Sequence, residues 1–118
     1  MANQRIWLMK GLPGSGKSTR AREIQATDPK IMRVGKDAVR NMFNGWTKNQ
    51  DNKGRFDSVF EKTVVKAERE VARVLLDRGY SVIVDDTNLS PKHERFFGDL
   101  ANEYGISFKI VDLTGLDQ

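Results

Sequence analysis

Residues 11–18 read Gly-Leu-Pro-Gly-Ser-Gly-Lys-Ser, which fits G-x-x-x-x-G-K-[ST] at every fixed position. Glycines at those places let the backbone turn so that successive N–H groups point inward, and a helix that follows adds the positive end of its dipole. A lysine beside them reaches β- and γ-phosphates, and the next hydroxyl is a ligand for Mg²⁺. The candidate phosphate-binding set is therefore Gly11, Pro13, Gly14, Ser15, Gly16, Lys17, Ser18 and Thr19, with Lys17 also the candidate catalytic cation. An ordinary glycine-rich turn is the competing reading. It is disfavoured because the motif falls between a strand-like and a helix-like segment, as phosphate binding requires.

Two further groups of side chains could do chemistry. Val82-Ile83-Val84-Asp85-Asp86 is an apolar strand ending in two acids. A carboxylate at the end of a strand beside the phosphate loop would hold Mg²⁺, directly or through water. Neighbouring strand residues point to opposite faces, so only one acid of the pair should look toward a nucleotide. Asp37 and Arg40 stand three apart at the start of a helix and hence on one face. Asp37 could take the proton of an attacking hydroxyl and Arg40 could grip an anion. On spacing alone, a capping Asp followed by a surface Arg is the simpler reading.

These residues need elements to position them. Arg5–Lys10 predicts a strand, with a continuous apolar run that suits a parallel strand covered on both faces. Lys17 to about Ala26 predicts a helix stopped by Asp28-Pro29, and residues 31–34 a second strand. Asp37 begins a helix with Val39, Met42 and Phe43 on its inner face, ended by Asn44-Gly45. Residues 47–54 read as a loop. From Phe56 to Leu76, steps of three and four through Phe56, Val59, Phe60, Val64, Ala67, Val71, Val74 and Leu75 predict a long amphipathic helix stopped near Gly79. Residues 81–84 form a third strand. Ser90-Pro91 supplies a cap and a first-turn proline for a helix burying Phe96, Phe97, Leu100, Ala101 and Tyr104, which Gly105 ends. Residues 107–111 form a fourth strand. Strands alternating with helices predict an α/β fold with a parallel sheet covered on both faces, and ligands in such sheets bind beyond the carboxyl ends of the strands. All three groups lie there, in one cleft.

Composition sets outer limits. The 118 residues suit one domain and carry 20 Lys+Arg against 16 Asp+Glu, one His and no Cys. Without cysteine there is no disulfide scaffold, thiolate zinc site or thiol nucleophile. No apolar run is long enough for a membrane span, and the first residues lead into a strand, so the expectation is a cytoplasmic protein with no membrane partner. The net charge of +4 is compatible with a polyanionic partner. His93, in the first turn of a helix, reads as a solvated surface residue, and Trp7 as core. Trp46 is a candidate for contact with a base, and Lys48, Lys53 and Arg55 for contact with a nucleic-acid backbone.

Residues 6–18, Asp37-x-x-Arg40 and Val84-Asp85-Asp86-Thr87-Asn88-Leu89-Ser90-Pro91 resemble, in order and spacing, the kinase domain of phage-type polynucleotide 5′-kinases. The resemblance spans essentially the whole chain. It implies an adenylate-kinase-like P-loop kinase fold of three layers with a four-stranded parallel sheet. It implies transfer of the ATP γ-phosphate to the 5′-hydroxyl end of DNA or RNA, in host cytoplasm if the source is a phage. Carried over by position, Asp37 is the general base and Arg40 the contact to the acceptor's neighbouring phosphate. Asp86 is the acceptor-side acid, with Thr87 and Asn88 beside it. The resemblance assigns Asp85 no role, so it stays with Ser18 as a metal candidate. The family's lid, with its transition-state arginine, would follow the fourth strand, where this sequence stops. The expectation is a single kinase domain over 1–118 without its lid, with uncovered apolar surface favouring self-association. Two rival readings remain: a kinase of a small hydroxylated metabolite or nucleotide sugar, as in zeta-toxin-like enzymes, and a nucleotide-binding module without transfer activity.

Overall fold

The computed structural model describes residues 3–11, 14–44, 58–86 and 90–114. Four strands, β1 (Arg5–Lys10), β2 (Ile31–Val34), β3 (Ser81–Asp85) and β4 (Ser107–Asp112), form one sheet in the order β2-β3-β1-β4. Every pairing is parallel, with Ile6 opposite Val82 and Phe108, and Ile31 opposite Ser81. The helices are α1 (Lys17–Gln25), α2 (Lys36–Asn44), α3 (Ser58–Asp77) and α4 (Pro91–Tyr104). The architecture is the predicted P-loop kinase type of α/β fold.

Strand alternation builds the layers. Ile6, Leu8, Val82 and Val84 face Ala72 and Leu76 of α3 and Phe97, Leu100 and Ala101 of α4. Trp7, Met9 and Ile83 face Ala21 of α1, with Ile24 against them. Both faces of the two central strands are thus buried, which is why β1 and β3 are unbroken apolar runs. Trp7 is core, as expected.

The helix ends follow the punctuation in the sequence. Ser90 is extended and its hydroxyl accepts the backbone N–H of His93, Pro91 opens α4, and Gly105 closes it with a left-handed φ of 64° that a side chain would resist. The start of α3 expected at Phe56 and the boundary at Gly45 lie outside the described residues.

Two helix faces differ from expectation. Of the inner face predicted for α2, only Val39 is buried, while Met42 and Phe43 are 57% and 46% exposed. The second half of α2 leans on α3 instead of the sheet, with the Phe43 and Phe60 rings edge to face at 6.3 Å. On α3 the row turned inward is Val64, Glu68, Ala72 and Leu76, and Val59, Val71 and Val74 are exposed. Apolar periodicity misplaced this face because one inward position is an acid, whose partners come from other elements. Phe96 and Tyr104 flank the core of α4 and are only partly buried.

Phe97 is fully buried between sheet and helices. Phe97→Ala is expected to cost about 3–5 kcal/mol in equilibrium urea unfolding. Val59→Ser, at a site 73% exposed, should change stability by less than about 0.5 kcal/mol. Equal effects at the two sites would contradict the assigned packing.

Candidate active site

The phosphate loop runs from the carboxyl end of β1 into α1 through glycines at positive φ, Gly14 at 88° and Gly16 at 90°. Gly11 has a different reason: a Cβ there would sit 2.5 Å from Ser15 Oγ. Gly14, Gly16, Lys17, Ser18 and Thr19 line a cleft of about 750 Å³ together with Asp85 from β3 and Arg33, Val34, Gly35, Asp37 and Ala38 from the β2–α2 turn. The carboxyl ends of three elements therefore open on one space. Gly35 is required by close approach, since a Cβ would meet the Asp85 carbonyl oxygen at 2.9 Å.

Asp85 is the anionic centre of the cleft. Its Oδ1 accepts from Lys17 Nζ at 2.7 Å, and its Oδ2 accepts from Arg33 Nη2 at 2.7 Å and Nε at 3.2 Å. Burial would push the Asp85 carboxyl up, but hydrogen bonds from Lys17 and Arg33 hold it below the usual carboxylate range. Arg33 Nη2 also lies 3.4 Å from the Ser18 hydroxyl. Two cations thus occupy the carboxylate, and one of them, Arg33, also approaches the hydroxyl nominated for Mg²⁺. A hard cation suits this oxygen donor pair, and positive charge is already what the site holds. Arg33 was not singled out in the sequence. Its only signal is its place near the carboxyl end of an edge strand, on the face that Ile31 turns to α1.

Asp37 and Arg40 lie together on the first turns of α2, with Arg40 Nη1 2.5 Å from Asp37 Oδ1. Glu61 of α3 takes Arg40 on two sides, Oε2 accepting from Nε at 2.9 Å and Oε1 from Nη2 at 2.6 Å. The Glu61 hydrogen bonds raise the Arg40 pKa further, so the guanidinium is charged at any working pH. The Asp37 side chain is 86% exposed and borders the cleft. Arg40 is set back behind it.

Asp86 points the other way, as alternation requires. It is buried, and its Oδ1 accepts the backbone N–H of Lys36 at 2.7 Å while its Oδ2 lies 3.0 Å from His93 Nε2. His93 is not on the surface: it is 4% exposed. The hydrogen bond from its backbone N–H to Ser90 Oγ places it in the first turn of α4, one turn before Phe97, so its ring enters the core edge-on to Phe97 at 5.1 Å. Arg69 Nη2 lies 3.2 Å from His93 Nδ1. A guanidinium only donates, so in the neutral ring Nδ1 accepts and the proton sits on Nε2, facing the acids. That proton serves Asp86. Glu68 Oε1 is also 3.1 Å from Nε2, and the residue is fully buried. Burial raises the Glu68 pKa to about 7. A signal for both residues existed in the sequence: Glu68 is four residues after Val64, and His93 four before Phe97, each in a buried row.

Among the sequence-nominated residues, Ser15 lies in the phosphate loop with its hydroxyl buried. Pro13, Thr87, Asn88, Trp46, Lys48, Lys53 and Arg55 lie outside the described residues. Among the described residues, no helix is long and apolar enough to cross a membrane.

A family model described as an AAA domain matches residues 6–115. In the Pnkp1/Rnl/Hen1 complex, a chain 31% identical superposes with a TM-score of 0.67, covering 95% of this chain and 36% of that one. A second such chain, from the Pnkp1/Rnl/Hen1 RNA repair complex, is 26% identical with a TM-score of 0.63, covering 93% and 33%. APS kinase CysC from Mycobacterium tuberculosis, in complex with AMPPNP and APS, has a TM-score of 0.67 at 20% identity and covers 96% and 64%. This chain thus spans about a third of the length of the two Pnkp1/Rnl/Hen1 chains. The matches agree with the polynucleotide kinase domain that the sequence resembles, and at the level of fold the APS kinase shares it.

The buried acids and histidine make stability depend on pH. Glu68 holds its proton in the fold to about pH 7 but loses it near 4.5 when exposed, so stability falls as pH rises between those values. Burial lowers the His93 pKa, but the hydrogen bonds to Asp86 and Glu68 raise it on balance; its contribution is complete below 6.5 and is lost as pH rises through the higher folded value. Asp86 is lowered, despite burial, by hydrogen bonds from His93, Glu68 and the Lys36 amide, and its contribution is lost as pH falls through a value below 3.8. Stability should peak near pH 4 and decline by about 1–3 kcal/mol toward pH 8. Glu68→Gln, whose amide can still donate to Asp86, should flatten that decline in thermal melts. An unchanged slope would remove Glu68 from the account.

Proposed function

We propose that this chain, which belongs to the AAA domain family, is an ATP-dependent kinase that phosphorylates the 5′-hydroxyl end of a nucleic acid. The observation that supports this reading is the shared cleft: Lys17, Ser18 and Asp85 border it on one side and Asp37 on the other. A donor phosphate and an acceptor hydroxyl would meet there. The Pnkp1/Rnl/Hen1 RNA repair complex adds weight to a nucleic-acid acceptor.

Phosphoryl transfer needs positioning and charge neutralisation more than covalent chemistry. The loop amides and the start of α1 would receive the β- and γ-phosphates. Lys17 would exchange Asp85 for the phosphate oxygens, and Arg33 would be freed by the same exchange. Mg²⁺, when bound, would be held by Ser18 and Asp85 and would neutralise charge on the phosphates. Asp37 is exposed enough to meet an incoming hydroxyl and would accept its proton as the oxygen–phosphorus bond forms and the β–γ bridge breaks, releasing ADP. Arg40, fixed by Glu61, would face the phosphate next to the reacting nucleoside. Asp86 would act on the acceptor side through the amide of Lys36, which precedes Asp37.

The reading is tested with an acceptor panel: 5′-hydroxyl oligonucleotides, a nucleoside 3′-monophosphate and small hydroxylated metabolites. Oligonucleotides should be phosphorylated. Turnover confined to a metabolite would assign a small-molecule kinase, and nucleotide binding without turnover of any acceptor a binding module. Lys17→Ala should reduce transfer by about 10³ or more. Asp37→Asn should reduce it by about 10² or more with little change in nucleotide affinity. Collapse of nucleotide binding in Asp37→Asn would give Asp37 a role other than base.

A further inference from the structure

A second concavity, of about 690 Å³, lies between the outer faces of α3 and α4, away from the phosphate loop. From α3 it is lined by Lys62, Lys66, Arg69 and Arg73, and from α4 by Lys92 and Phe96. The steps 62–66–69–73 are four, three and four, so these cations form one stripe along the helix. The stripe covers about 16 Å of helix axis. Two acids share the lining, Glu61 and Glu70. Glu61 is held on two sides by Arg40, and Glu70 sits 3.7 Å from Lys66.

The cations are held differently. Arg69 is anchored, its guanidinium 4.3 Å over the Phe96 ring and one nitrogen on His93. Arg73 pairs with Glu103 at 2.9 Å. Lys62 and Lys92 are exposed and make no ion pair among the described residues. A groove of one dominant sign concentrates a polyanion. The Glu61 end of the groove adjoins Arg40, the residue set beside Asp37.

We propose that the α3–α4 groove binds the sugar-phosphate backbone of a single-stranded nucleic acid, guiding the strand whose 5′ end lies at Asp37. This rests on the function proposed above but is separable from it. A short acceptor would end at Arg40 and never reach the groove. A longer strand would pass Glu61 and lie along the lysine and arginine stripe. Affinity should therefore grow with strand length and carry a salt dependence set by the groove cations.

The test is fluorescence anisotropy of a labelled oligothymidylate of twelve nucleotides, from 50 to 200 mM salt, with nucleotide affinity as the folding control. The Lys62→Ala/Lys92→Ala double variant should lose about tenfold or more in affinity, and its log–log salt slope should shrink by about 1.4, two charges at about 0.7 each. Lys62→Arg/Lys92→Arg should restore both. Unchanged affinity and slope in the alanine variant would overturn the proposal. Equal competition by polyglutamate of matched charge would also overturn it, by making the groove a general polyanion surface. Groove-dependent binding without transfer to any 5′-hydroxyl leaves the groove standing and sinks the kinase reading. Transfer to oligonucleotides with a KM insensitive to the alanine variant does the reverse.

Discussion

The Asp86 carboxylate ties the Asp37 rim of the cleft to the core. It stands just past β3, accepts the first amide of α2 at Lys36 and meets the His93 ring of α4. Three elements, one of them 50 residues earlier in the chain, are fixed to one another by one buried side chain. A buried carboxylate is tolerated only when its oxygens are satisfied, so both partners must arrive together. Asp37 follows Lys36 directly. Its place at the rim of the cleft is thus set from beneath, by a group that does not line the cleft.

The neighbouring acid does the opposite task with the same chemistry. Asp85 ends β3 facing the phosphate loop, where Lys17 and Arg33 share it. Strand alternation alone separates the two: one acid gathers cations in a solvent-open cleft, and the next gathers an amide and an imidazole in the core. Asp85 holds Lys17 and Arg33 at the wall of the cleft, beside the phosphate loop. The cations are oriented before any ligand arrives. This lowers what a ligand must spend in ordering side chains.

The order of elements and the location of the cleft were legible because they depend on patterns that sequence displays directly. Glycines and prolines mark ends, apolar runs mark β1 and β3, and the phosphate loop must lie between strand and helix. Burial of particular helix faces was less legible. Met42, Phe43, Val59, Val71 and Val74 are apolar but outward, and Glu68 and His93 are polar but inward. An apolar count cannot see that an acid and a histidine on different helices cancel one another's burial cost. Arg33 escaped for a similar reason. Its significance comes from the Asp85 carboxylate, 52 residues away, and local pattern says nothing of such a partner.

Arg40 links the cleft rim at Asp37 to Glu61 of α3. Its guanidinium touches Asp37 in front and is clamped by Glu61 behind. The clamp neutralises the acid that would otherwise repel a phosphate chain at the mouth of the α3–α4 groove. Removing Arg40 would therefore do two things: withdraw the cation beside Asp37 and take from Glu61 the guanidinium that holds it on two sides. Glu61→Gln would do neither, leaving Arg40 with a neutral partner and the groove more positive. The two substitutions differ in sign for long strands and should not be read as breaking the same ion pair. A loss common to both would place the pair in the fold, and a loss confined to Arg40 would place it in recognition.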